Sequence, residues 1–137
     1  MSNPRAFISF DFDHDLTPKV LFAGQAKTDS PTPFAAEDWS SKASLPQAEW
    51  EALIQQKINR CHFMVVLVGL HMASATGVSK EIAMANRLNV PYFGVYVNGA
   101  GSTDPLPAGL SRKACVAWKW AAVANMVDQC MKLGKNA

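Results

Sequence analysis

Apolar positions along the chain recur with two periods, and the switching between them marks out the elements. Residues 5–10, RAFISF, predict a strand, and an acidic turn from Asp11 to Asp15 follows it. TPKVLFAGQAK, about Thr17 to Lys27, is helix-like, with Leu16, Val20 and Ala23 or Gly24 at helical spacing and Pro18 suited to a first turn. A Ser- and Pro-rich stretch comes next, with one short strand expected near Thr32–Ala36. SLPQAEWEALIQQKINRC predicts a helix whose apolar face is Trp50, Leu53, Ile54 and Ile58; Ser44 and Gln47 have the spacing of a capping box. HFMVVLVG is a continuous apolar run of strand length, as expected for a buried parallel strand. VSKEIAMANRL reads as a helix, VPYFGVYV as another buried strand and NGAGSTDPLPAGLSRK as a loop. ACVAWKW is a short strand on which Trp118 and Trp120 alternate. AAVANMVDQCMKLG is a last helix, ended by Gly134.

Buried strands alternating with helices mean a parallel sheet covered on both faces. The predicted fold is α/β, a flavodoxin-like three-layer sandwich with a five-stranded sheet in the order 2-1-3-4-5. Residues 1–137 form one domain, long enough to bury a core without metal or disulfide staples. In such a sheet, ligands bind beyond the carboxyl ends of the strands, at the switch point between strands 1 and 3. Three pieces are expected to meet there: the turn Phe10–Asp15, the loop Gly69–Gly77 with His71 and Ser74, and the first turn of the following helix.

That helix carries the most unusual residue of the chain. On a helical wheel Val78, Ile82, Ala85 and Leu88 share a sector, and Glu81 falls inside it. A carboxylate at the N-terminal end of a stripe that faces the sheet also faces the crevice. A dipole interaction at a helix start, worth roughly 0.3–1 kcal/mol, accounts for a surface Glu but not for one on the apolar face. Within DFDHD, Asp13 or Asp15 is also placed to cap the first helix.

Composition and motifs remove several alternatives. With 49% hydrophobic and 18% charged residues, the chain is globular rather than disordered. A net charge of +2 with scattered Lys and Arg gives no nucleic-acid footprint. Cys61, Cys115 and Cys130 are odd in number and far apart, which argues against a disulfide framework or zinc site and for a reducing compartment. No signal-peptide pattern opens the chain, and FMVVLVGL is too short to span a membrane, so a cytoplasmic location is expected. Phosphoacceptor chemistry of the receiver type needs a carboxylate at the end of strand 3, where VLVGLH has none. Phosphate-loop, dinucleotide-binding and nucleophile-elbow motifs are absent, and no metal or bound cofactor is expected.

The segments FISF-DFDHD, EDWS before a helix ending KINRCHFMVVLVG, and KEIAMANRLNVPYFGVYV resemble the TIR-like domains over roughly residues 5–97. The likeness is strongest to the bacterial branch that includes the NAD-consuming sensor of Thoeris antiphage defence. The resemblance implies that Glu81 is the catalytic residue. It also implies that Phe10, Asp11, Asp13, Asp38, Trp39 and Ser40 frame a pocket for NAD⁺, which is substrate rather than cofactor. Lys80 stands where the family often carries Trp, and Trp39 is the candidate replacement for that aromatic wall. The activity implied is an NAD⁺ glycohydrolase or cyclase making an ADP-ribose-type messenger, with TIR–TIR self-association and a downstream effector sensing the product. A non-catalytic interaction module and a nucleotide binder without turnover are the competing readings.

Overall fold

The computed structural model describes residues 4–36 and 46–136. In chain order the elements are β1 (Arg5–Ser9), α1 (Leu16–Thr28), β2 (Ala35–Ala36), α2 (Gln47–Arg60), β3 (Phe63–Val68), α3 (Thr76–Arg87), β4 (Tyr92–Tyr96), β5 (Cys115–Val116) and α4 (Trp120–Met131). All four strand pairings are parallel, and the sheet order is β2-β1-β3-β4-β5. This is the flavodoxin-like order expected from the hydrophobic pattern.

The period-2 alternation of the strands divides the core into two halves. Phe7, Met64, Val66 and Val68 face α2 and α3, meeting Ile54, Ile58, Val78, Ile82 and Ala85. Ala6, Ile8, Phe63, Val65, Leu67, Phe93 and Val95 face α1 and α4, meeting Phe22, Ala26, Val123 and Val127. All six residues of β3 are buried, as a strand covered on both faces requires.

One helix face and three boundaries differ from the sequence expectation, each for a physical reason. On α1 the buried stripe is Pro18, Phe22 and Ala26, while Leu16 and Val20 are exposed. Phe22 decides the rotation, because its ring packs against Phe34, Trp118 and Trp120. Helix α2 starts at Gln47 with Pro46 at its N-cap position, so Gln47 is the first helical residue and its amide donates to Glu51. Ser44, its expected capping partner, lies outside the described residues. Helix α3 begins two residues earlier than VSKEI implies, after a 3₁₀ turn at Met72–Ser74. Strand β5 has only two residues; Trp120 instead opens α4 and donates its indole N–H to Gln25. Trp118 and Trp120 still serve packing, against Phe22. Cys61 is buried beside the start of β3, as a core residue.

Candidate functional site

Strand β1 ends in Ser9, on the same face as Phe7 and therefore turned toward α3. Here a small hydroxyl replaces an apolar side chain. Glu81 fills the space: it is 3% exposed, and its Oε1 accepts a hydrogen bond from Ser9 Oγ at 2.7 Å. Because α3 starts at Thr76, Glu81 sits in the second turn rather than the first. Helix-dipole effects fade beyond the first turn, so the dipole does not explain this carboxylate. It is a buried acid on a packed face, held by a residue from the central strand.

The turn after β1 is organised by Asp11. Its Oδ1 accepts from the Asp13 backbone N–H at 3.1 Å, and its Oδ2 lies 2.7 Å from His14 Nδ1. The His14 ring stacks on His71 with centroids 3.7 Å apart, joining this turn to the loop after β3. His71 thus contacts the turn rather than the cavity described below.

Asp15 occupies the N-cap position of α1, yet its side chain does not cap. It turns inward, only 1% exposed, and Oδ1 accepts from Asn98 Nδ2 at 2.7 Å. Its other oxygen, Oδ2, has no hydrogen-bond partner among the described residues. Burial pushes the Asp15 carboxyl above its ordinary value, partly offset by the Asn98 bond. The carboxyl lies directly over Gly69, where even a Cβ would come within 2.2 Å of Oδ2. Asp15, Asn98 and Gly69 therefore lock together the chain segments leaving β1, β4 and β3.

Beside Glu81 opens a cavity of about 450 Å³, within the usual range for small-ligand sites. Phe10, Asp11, Phe12 and Asp13 line it from the β1 turn, Gln47 and Trp50 from α2, and Ser74 to Val78 and Lys80 from the α3 side. Of the residues expected at the site, Phe10, Asp11, Asp13 and Ser74 are on its wall. Glu81 adjoins the wall without lining it: its chain neighbour Lys80 and its hydrogen-bond partner's neighbour Phe10 both do. Asp38, Trp39 and Ser40 lie outside the described residues. Phe12 and Thr76 lie within the two segments expected there, without having been singled out, whereas sequence reasoning missed Gln47 and Trp50 as lining residues. Trp50 was legible as apolar, but its place in the first turn of α2, where that helix meets the cleft, was the clue to a second use.

The described residues contain no cluster able to hold a metal ion and no helix long and apolar enough to cross a membrane. None of the three cysteines is in a disulfide, and burial pushes the Cys130 thiol up to about 11, far from reactive.

A sheet of this order with an acid beside its switch-point cleft defines a flavodoxin-like α/β domain. A prokaryotic SEFIR domain superposes with a TM-score of 0.54 at 15% identity, covering 96% of this chain and 98% of that one. The TIR domains of the activated Roq1 resistosome, which recognises the pathogen effector XopQ, give 0.48 at 18% identity over 97% of this chain and 77% of that one. No curated protein matches the sequence. The model of the Thoeris protein ThsB TIR-like domain matches residues 7–102, and the chain belongs to that family.

Proposed function

We propose that the protein cleaves the nicotinamide–ribose bond of NAD⁺, as a glycohydrolase or cyclase yielding an ADP-ribose-type signal in bacterial antiphage defence. The observation that carries this reading is the Glu81 carboxylate, buried on the apolar face of α3 and bonded to Ser9 beside the switch-point cavity. One carboxylate is enough for this chemistry. Nicotinamide leaves NAD⁺ as a neutral base, so no general acid is needed, unlike ordinary glycoside hydrolysis. The remaining oxocarbenium-like ribose is stabilised by a fixed negative charge. Phe10, Phe12 and Trp50 supply the aromatic wall that Lys80 cannot, and a pyridinium ring suits such faces. Attack by water gives ADP-ribose; attack by an oxygen of the same molecule, with water excluded, gives a cyclic product. The site works in the cytoplasm and passes its product to a separate effector.

An assembly role without turnover is favoured by one observation: Phe12 in the β1 turn, Leu16, Val20 and Leu21 on α1 and Leu70 after β3 are all exposed apolar side chains. The test separates the two. Concentrated protein incubated with NAD⁺ should release nicotinamide, followed by chromatography. Glu81→Gln should lower kcat by about 10²–10³ while the melting temperature holds. Wild-type protein that leaves NAD⁺ intact at every concentration tried makes the assembly role the function.

A further inference from the structure

The cavity is electrically divided. Asp11 and Asp13 stand on the β1 side, and Lys80 is the cation on the α3 side. The first turn of α3 adds to that positive side: Ala75, Thr76, Gly77 and Val78 line the wall, and no side chain caps the helix. Lys80 Nζ donates to Glu51 Oε1 at 3.1 Å, and Gln47 Nε2 donates to the same oxygen at 3.0 Å. The Lys80 side chain is half exposed. A solvent-facing pair of this kind is worth little and exchanges readily. Lys80 is thus a cation parked at the cavity wall on an anion that also has another donor.

We propose that Lys80 is the specificity residue of the site, exchanging Glu51 for a phosphate oxygen of the substrate and so selecting nicotinamide nucleotides over the uncharged-tail nucleoside. The inference rests on the NAD⁺ reading above. A ligand with a cationic ring at one end and phosphates at the other matches the division of the cavity: pyridinium toward Asp11 and Asp13, phosphate toward Lys80. An ammonium–phosphate hydrogen bond is charge-assisted, and Lys serves as a point charge for phosphate.

The experiment compares NAD⁺, nicotinamide mononucleotide and nicotinamide riboside as substrates of wild type, Lys80→Ala, Lys80→Arg and Glu51→Gln, alongside calorimetric binding of ADP-ribose. Lys80→Ala should raise KM for both phosphorylated substrates about tenfold, with kcat changed less than about twofold and the riboside nearly unaffected. Lys80→Arg should restore most of the loss. Glu51→Gln, which releases Lys80 from its partner, should lower KM for NAD⁺. Equal losses on the riboside, or no change in KM for NAD⁺, overturn the proposal. Binding of ADP-ribose separates this failure from failure of the catalytic reading. If NAD⁺ is not cleaved but ADP-ribose binds about tenfold more weakly to Lys80→Ala, the phosphate role stands without the chemistry. If ADP-ribose binds both proteins equally, or neither, Lys80 does not read phosphate.

Discussion

Replacing Gly69 by Ala tests the lock at the carboxyl end of the sheet. The new Cβ would stand 2.2 Å from Asp15 Oδ2, 2.6 Å from Oδ1 and 2.7 Å from Cγ. Gly69 has no positive φ, so alanine brings no backbone strain, and any cost comes from this contact. Ordinary contact begins near 3.4 Å, so the carboxyl must retreat by about 1 Å. That retreat breaks the 2.7 Å bond to Asn98, because the buried group has no open space to follow. Overpacking costs about 1–3 kcal/mol, and losing a hydrogen bond to a charged group about 1.5–3. Gly69→Ala should therefore destabilise the domain by about 3 kcal/mol, roughly 10 °C in Tm. Urea unfolding of Gly69→Ala, Asp15→Ala and the double variant provides the measurement. In the Asp15→Ala background the alanine at 69 meets no carboxyl, and its cost should fall below about 1 kcal/mol. Equal costs in the two backgrounds would refute the close approach of Gly69 to Asp15 as the cause.

Other variants probe the remaining links. Ser9→Ala leaves the buried Glu81 without its hydroxyl donor and should cost about 1.5–3 kcal/mol in urea unfolding; a neutral result would mean that the bond carries no energy. Asp15→Asn should stabilise the domain at pH 7 relative to acid. The raised Asp15 value means that the folded protein holds this proton more tightly than the unfolded chain. Wild-type stability relative to Asp15→Asn should therefore fall as pH rises from 3.8 through the folded value, then level off; a difference independent of pH refutes the shift. Phe22→Ala empties a fully buried site among Phe34, Trp118 and Trp120 and should cost about 3–5 kcal/mol, read from the same unfolding curves.

The sheet order and the burial of Glu81 were legible because both follow from periodicity. A continuous apolar run as short as β3 reads as a buried strand rather than a helix, and a carboxylate inside an apolar sector is visible on a wheel. The rotation of α1 was not legible, since apolar residues lie on every side of that helix and the choice among them was made by aromatic packing from distant segments. Asp15 was recognised as a helix-start residue, and its position is correct, but its side chain bonds Asn98, 83 residues away. No local spacing encodes such a pairing. Trp50 is intermediate: its apolar character told of burial, and only its place at the start of α2 pointed to the cavity it borders.

The sheet order has a consequence for synthesis of the chain. β1 is a central strand, yet it is made before its sheet neighbours, and its long partner β3 emerges roughly 60 residues later. At 5–20 residues per second that is about 3–12 s of waiting. During that interval β1 can pair only with the two residues of β2, leaving Phe7 and Ile8 with little to cover them. Ser9 and Glu81 are 72 positions apart, so their bond forms later still, once α3 has docked. The nascent chain therefore has no assembled switch point until α3 has been made. A half-made copy can expose apolar strand, but it cannot hold its acid in the site.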